Sequence, residues 1–323
     1  MPDIYPGQEH FVAPVEETPL LAVDSLDTTT PPTSQWKDAW KSLRSNPVFL
    51  VSAVMLIVLA FVLAFPGVIT GVSPTKANLG DSLAGPRHGH PLGFDKQGYD
   101  VLSRTLHGAR ASVAVGVLTT ILVAVLGSVA GSLAGFYGGW VDSVISRIAD
   151  IFFAIPLLLA AVVVLSVVNN VAPDRGFWLS VGVIVFAFGA FGWPQICRIM
   201  RGAVLEIKNS EFIDAATAIG ATRRRNLIRH IVPNALAPVI VVSTVSLGIF
   251  IVAEATVSFL GIGLPENVVS WGSDISQAQS LVRSGQHLSV MFWPAGALAL
   301  TVLSFILLGD AVRDALDPKA RKQ

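Results

Sequence analysis

Few side chains in this sequence have the types and spacing that chemistry needs. His88 and His90 stand two apart in a Gly/Pro-rich stretch, with His107 further on. Two imidazoles alone make a weak metal set, and a solvated loop is the plainer account of them. Cys197 is the single cysteine, so neither an internal disulfide nor a multi-thiolate centre can form. No Gly-Lys dipeptide occurs anywhere, which excludes a phosphate-cradling Walker loop. His-Glu-x-x-His, Cys-x-x-Cys and Gly-x-Ser-x-Gly are missing as well. The chain therefore reads as one without catalytic residues, bound cofactor or metal, unable to hydrolyse ATP by itself. Glu254 is the exception worth following. It is the one acidic residue that a generous apolar span would enclose, and a carboxylate in hydrocarbon is a functional-site candidate by default. It would either line a polar pathway or cap a helix end near the outer interface.

The elements that must position such a group are set by composition. The chain has 323 residues, of which 52% are hydrophobic and only 14% charged, with 22 Lys+Arg balancing 22 Asp+Glu. Mean hydropathy is +0.64. A soluble domain is about a quarter charged, so both soluble and disordered classes are poor fits. Six charge-free runs each hold about 20 apolar residues, enough to cross a bilayer as helix. The expected spans are Phe49–Val68, Ala111–Gly135, Ile151–Val168, Phe177–Gln195, Ala235–Val252 and Leu288–Leu308. Strands do not fit, because runs such as Val51–Phe65 are apolar all round rather than alternating. The fold class is thus an all-α membrane protein of six transmembrane helices.

Six spans put both termini on one side. The opposite side then holds Lys76, Arg87, Lys96, Arg104, Arg110, Arg175 and Arg283, against about twice that number of basic residues on the side of the termini. The positive-inside rule makes both termini cytoplasmic. Residues 1–35 carry only acidic charge and a Thr/Pro tract, and read as a flexible cytoplasmic tail. Trp36, Trp40 and Leu43 recur at helical spacing beside Lys37, Lys41 and Arg44, as in an interfacial helix. Residues 36–110 then comprise that helix, the first span and an external loop. Residues 111–310 form a five-helix transmembrane domain, and 311–323 a second cytoplasmic tail.

Three details bear on packing. Gly127, Gly131 and Gly135 lie four apart on one helix face, which lets another helix approach closely and also suits a face that slides. Pro194, late in the fourth span, is expected to bend or end its helix. Asp150 beside Arg147 reads as an interfacial ion pair.

The most informative segment is the loop at 198–234, longer than helical connections usually need. Ser210, Glu211 and Asp214 suit a helix N-terminus. Ala215, Ala216 and Ala218 favour helix, and Gly220 offers a stop. A basic helix with Arg223, Arg224, Arg225 and Arg229 follows, closed by Pro233 before the fifth span. Small side chains on an exposed short helix make sense where another protein's surface must fit over it.

Asp214-Ala215-Ala216, then Gly220 after three residues, then Pro233, resembles the Glu-Ala-Ala-x3-Gly-x9-Ile-x-Leu-Pro signature of ABC-importer permeases. Asp214 replaces the usual Glu, and His230 stands where many families have Ile. The run Arg229-His230-Ile231-Val232-Pro233-Asn234 is similar to the peptide permeases in particular. So are His90-Pro91-Leu92-Gly93-Phe94-Asp95, Ala253-Glu254-Ala255-Thr256-Val257-Ser258-Phe259-Leu260-Gly261, Ser270-Trp271-Gly272 and Leu308-Gly309-Asp310, which resemble the C-type subunit of dipeptide/oligopeptide importers. Tyr99 stands where Arg is usual there.

The resemblance implies a type I ABC-importer permease fold in the cytoplasmic membrane. It implies ATPase coupling through Glu211, Asp214, Ala215, Ala216, Gly220, Arg223 and Pro233. It also implies four partners, a second homologous permease, two cytoplasmic ATPases carrying ATP and Mg, an extracytoplasmic peptide-binding protein and the lipid bilayer, with no nucleic acid. The expected function is ATP-driven import of di- or oligopeptides by alternating access. Relatives carrying nickel chelates or glutathione stay open, as does a secondary transporter driven by an ion gradient through Glu254, or a membrane assembly factor.

Overall fold

The structure, a computed structural model, describes residues 35–316 apart from residue 174. Of the expected tails, residues 1–34 of 1–35 and 317–323 of 311–323 lie outside the described residues; Gln35 starts a helix, and 311–316 continue the last helix. The described residues begin with a short helix α1 (Gln35–Leu43), followed by α2 (Pro47–Ala64) and the one-turn α3 (Pro66–Ile69). Asn46 starts α2, its side chain accepting from the Val48 amide at 2.8 Å, with Pro47 in the first turn where its missing N–H is no loss. A looped segment follows before the long α4 (Val101–Tyr137), which Asp100 caps by accepting from Ser103 N at 2.6 Å. Then come α5 (Gly139–Phe153), α6 (Leu157–Val171) and α7 (Phe177–Ile207). Two short helices, α8 (Glu211–Ala218) and α9 (Arg223–Asn226), lead into α10 (Val232–Phe259). The described residues close with α11 (Trp271–Ser284) and α12 (Ser289–Leu316). Among the described residues, β-structure is confined to two isolated bridges in the loop before α4.

Five of these helical runs are long and apolar enough to cross a membrane: α2, α4, α7, the run Arg223–Phe259 and α12. The third expected span is not a single helix. It is the pair α5 and α6, bent by 76° where Ala154, Ile155 and Pro156 separate them. Pro156 has no N–H for the preceding turn and forces the break. Counting that pair as one span gives six.

Other boundaries also differ from expectation. The helix runs straight through Pro194, which is buried within α7, and ends only at Ile207. Neighbouring helices hold the local geometry that an isolated peptide would lose. Pro233 does not close a helix either, because residues 227–231 form a π turn that joins α9 directly to α10. The wider turn accommodates a residue that cannot donate to the carbonyl four positions back. Asp150 pairs with Arg198 at 2.7 Å, not with Arg147, and the Arg198 guanidinium also lies 4.1 Å over the Phe153 ring. That ring and the facing carboxylate make a better seat for a guanidinium than a same-helix partner alone.

The closest helix pair is α4 against α7, and glycines permit it. A Cβ added at Gly127 would lie 2.6 Å from Ile196 Cβ. At Gly131 it would lie 2.9 Å from Met200 Cβ, and at Gly135 2.9 Å from the Arg201 carbonyl oxygen. No real Cβ tolerates such distances, so the backbones meet only because those positions are bare. Around this seam lies the main core, with Val123, Ile184, Phe188, Met200, Val204 and Phe250 buried. The seam ends in charge: Asp142 of α5 accepts from Arg201 Nε and Nη2 at 2.5 and 2.6 Å, and Lys208 Nζ donates to the Gly135 carbonyl at 2.8 Å.

The bundle has two unlike ends. At one, α8 and α9 form an elbow; α1 packs beside it, with Ala39 buried against Ala315 and Leu316 of α12. At the other, residues 70–100 and α11 form a cap. Arg110 of α4 donates to the last carbonyls of α2, Leu63 O at 2.8 Å and Ala64 O at 3.1 Å, and so seats α2 against the bundle.

Replacing Gly131 by leucine should force α4 off α7, costing about 1–3 kcal/mol or more by overpacking. Gly202, on the same helix pair but with open space around its Cβ position, should accept alanine with no loss. Thermal unfolding of the two detergent-solubilised variants measures the contrast; equal midpoints would contradict the close-packed seam.

Candidate functional site

The elbow grows out of the end of α7. Ser210 takes the N-cap position of α8 by backbone conformation, yet its hydroxyl donates to the Ile207 carbonyl at 2.6 Å rather than receiving from the helix. Glu211 and Asp214 fill the first turn, where their charge favours the exposed amides. The helix stops at a Schellman turn. Gly220 N donates to Thr217 O at 2.9 Å and Ala221 N to Ala216 O at 3.0 Å. Gly220 sits at φ +92°, with open space where a side chain would go. Backbone conformation, not crowding, demands glycine here.

Thr222 then caps α9, accepting from Arg225 N at 3.3 Å. One side-chain bond ties the two helices: Asn226 Nδ2 donates to Thr217 Oγ1 at 2.9 Å, and that hydroxyl donates to the Ile213 carbonyl at 2.8 Å. Ile213, Leu227 and Ile231 are buried in the main core and root the elbow in the bundle. Asn234 Nδ2 donates to the His230 carbonyl at 2.6 Å across the π turn.

Of the residues named from sequence, Glu211, Asp214, Ala215, Gly220 and Arg223 are exposed on this elbow, Ala216 is half-buried there, and Pro233 is exposed in the first turn of α10. Sequence reasoning missed the elbow's apolar points. Ile219 is 88% exposed, and Phe212 and Ile228 are also open. The signal available was an isoleucine directly before the stop glycine, outside the apolar period of the helix. It also missed Thr217 and Asn226, whose bond joins residues nine apart.

Glu254 does not belong to the elbow. It lies 22 residues beyond Val232 on α10, about 33 Å at 1.5 Å per residue. The side chain is fully buried, Ser258 Oγ donates to Oε1 at 2.8 Å, and the Ser112 and Ser270 hydroxyls also lie against the carboxyl group. It stands where α10, α4 and α11 meet nearly backbone to backbone. A Cβ on Gly272 would be 2.7 Å from Ala255 Cα, and one on Gly108 3.2 Å from the Ser270 carbonyl carbon. Trp271 closes the junction, its Nε1 donating to the Thr105 carbonyl at 2.8 Å.

The cap is held by charge. Arg87 donates to both oxygens of Asp81 at 2.7 and 2.9 Å, and these hydrogen bonds hold the Asp81 carboxyl below the usual carboxylate range. His90 Nδ1 lies 2.8 Å from Asp100 Oδ2. Tyr99 presents its ring to Arg104, whose guanidinium carbon is 4.6 Å from the centroid. Asp274 of α11 is pushed up to about 6 by burial, against the opposing charge of Arg104. Among the described residues, no three His, Cys, Asp or Glu side chains converge as a metal set, and His88 and His90 are not brought together with a third ligand.

A bundle of five to six apolar helices with a two-helix elbow between its fourth and fifth spans is consistent in architecture with a type I ABC-importer permease, to which its fold is similar. Residues 127–322 match the profile of the family described as binding-protein-dependent transport system inner membrane component. Residues 34–86 match that of the N-terminal TM domain of oligopeptide transport permease C. The chain belongs to this family of inner-membrane permeases. It is 35% identical over 289 residues to the oligopeptide transport system permease protein OppC of Bacillus subtilis (strain 168), covering 90% of this chain and 91% of that one. It is 34% identical over 310 residues to the glutathione transport system permease protein GsiD of Escherichia coli O6:K15:H31, covering 96% and 97%. Among solved structures, an inward-facing form of the MetNI methionine ABC transporter superposes with a TM-score of 0.52 at 20% identity, covering 66% of this chain and 96% of that one. That likeness concerns the fold. Family membership removes the ion-driven secondary transporter and the assembly factor from consideration.

The Thr217–Asn226 bond yields a direct test. Thr217→Val keeps the shape of the side chain but strands the buried Asn226 amide, a loss of about 1–3 kcal/mol. Hydrogen exchange of the backbone amides at 219–227 should then quicken by about tenfold, since ~1.4 kcal/mol is one decade. Unchanged protection would show that the two short helices are held by something else.

Proposed function

We propose that this chain forms one half of an ATP-driven path importing di- or oligopeptides, with the elbow as the surface that receives the ATPase. The observation that carries this reading is the elbow itself. It is an eight-residue helix with bare alanines outward, apolar Ile219 and Phe212 projecting, and a root of Ile213, Leu227 and Ile231 in the bundle core. Exposed apolar side chains at a helix tip want a partner surface, and a buried root passes any movement of that partner to the spans. The elbow end and both termini then face the cytoplasm, and the cap faces outward.

A second feature supports the pathway. Between α7, α10 and α12 runs a groove of 780 Å³ opening on the elbow half, with Gln195, Glu206, Asn234, Ser246, Asp310 and Arg313 in its walls. Polar side chains at membrane depth face protein or a water-filled passage, not lipid. A second permease packed across this groove would enclose a passage between the two chains.

In this reading two cytoplasmic ATPases close on ATP, push the elbows together, and rock the spans between two orientations. A binding protein outside delivers the solute. The peptide assignment rests on likeness to OppC; glutathione, itself a short peptide, is the second reading, because GsiD matches over more of the chain.

Gly220→Val places a β-branched residue at positive φ, with strain of about 1–2 kcal/mol. Because Gly220 has open space around it, the spans should fold and assemble normally, while solute uptake per ATP hydrolysed falls about tenfold. Uptake and ATPase activity measured on one reconstituted sample decide this; full uptake in an intact complex sinks the coupling role. Gln195→Cys offers a separate check on the groove. The native Cys197 is buried, so a water-soluble maleimide should label only the introduced thiol in the assembled complex. A thiol at 195 that stays unlabelled would place the groove in lipid or in a dry interface.

A further inference from the structure

Near the cap end, residues 95–97, the first turns of α4, α11 and the start of α12 enclose a cavity of 290 Å³. Its floor is apolar, made by Val101, Ala278, Leu281 and Val290. Its polar wall is built around a charge cluster. Arg104 Nε and Nη2 both reach the same oxygen of Asp274, Oδ1, at 2.7 and 2.5 Å. A fork gripping both oxygens is the usual geometry, so this arrangement leaves Oδ2 over. That oxygen is buried and has no partner, and neither has Thr105 Oγ1, whose residue follows Arg104 on α4 and lines the same cavity. Asp274 and Thr105 are each only 9% exposed, and both line the cavity together with Gln277.

Charge points the same way. Asp95 lies 4.0 Å from Arg104 and is otherwise occupied in accepting from Gln97 N at 2.8 Å and Tyr99 N at 2.9 Å. Two buried carboxylates thus share one buried guanidinium, while the other cation of the lining, Lys96, is an exposed residue, so the buried part of the wall carries one negative charge in excess. A buried carboxylate oxygen without a donor is destabilising by about 1–3 kcal/mol, and proteins normally satisfy such atoms. What is missing is a cationic donor. A metal ion fits poorly, since no third carboxylate, imidazole or thiolate converges there among the described residues. A primary ammonium fits well: it brings one positive charge and three N–H donors, matched in number by Asp274 Oδ2, Thr105 Oγ1 and the Gln277 carbonyl. The apolar floor would receive a short aliphatic substituent.

We propose that this cap cavity is a binding site for the primary ammonium group of a small amino compound, with Asp274 as the charged acceptor. The site goes beyond the importer reading, because it stands on the cavity alone and is measured without transport. Two sources share this chemistry, a free amino acid and the amino terminus of a peptide.

The test is calorimetric titration of the full-length chain in its purified, nanodisc-embedded complex. Alanine amide, a cation without a carboxylate, should bind with one site per copy of this chain, while N-acetylalanine amide, which lacks the charge, should not. Asp274→Asn should weaken alanine amide at least tenfold. Thr105→Val leaves the Arg104–Asp274 pair in place and should weaken it several-fold, so the proposal remains testable even if the first variant does not assemble. Titration with free alanine and with trialanine separates the sources: preference for trialanine marks a peptide amino terminus, preference for alanine a free amino acid. No binding of alanine amide, equal binding of the acetylated compound, or undiminished affinity in Thr105→Val would overturn the assignment.

Discussion

Inside a bilayer, one apolar helix gains nothing by leaving lipid for another, so close contact of backbones must do what exclusion of water does elsewhere. The α4–α7 seam is where this chain meets that requirement. Gly127, Gly131 and Gly135 leave the α4 surface bare just where Ile196, Met200 and Arg201 of α7 cross it. Everything at the elbow end is referenced to this contact. Arg201 reaches Asp142 and Lys208 reaches the Gly135 carbonyl only because the two helices are already this near. The elbow leaves α7 three residues past Ile207, so its position is fixed by the same seam.

The two ends of the bundle are built on different principles. The cap is held by side-chain charges, two of them over long sequence separations, Arg110 on the carbonyls of α2 and Arg104 on Asp274, and one local, Arg87 on Asp81 within its loop. Such contacts fix direction and are costly to break when buried. The elbow has few of these. A Schellman turn, one Thr217–Asn226 bond and three apolar residues hold it, and its charged residues point outward. That contrast agrees with the proposed role of the elbow as a docking surface able to shift as a unit.

Much of this was legible in the sequence, for identifiable reasons. Charge-free runs of span length locate the long helices because hydrocarbon penalises ionised groups wherever they fall. The elbow could be read from Asp214, Ala215, Ala216 and Gly220 because capping and stop chemistry is local. The bend at Pro156, the passage of α7 through Pro194 and the π turn before Pro233 were not legible together. The same residue type breaks, tolerates or reshapes a helix according to what packs around it. Asp150 was misassigned to Arg147 for a related reason: adjacency in sequence is visible, whereas Arg198 arrives from another helix. Ile219 escaped because its exposure contradicts its hydrophobicity, which no periodicity announces.

The continuity of the run from Arg223 to Phe259 gives the elbow long reach. A helical rod of 37 residues is about 55 Å long, so a rotation of only ~5° about one tip sweeps the other by about 5 Å. Small angular input at the Arg223 end is therefore geared up to a side-chain-sized displacement where Glu254 and Trp271 are clasped. The π turn and Pro238 are the two points along the shaft where that leverage could be absorbed instead of delivered.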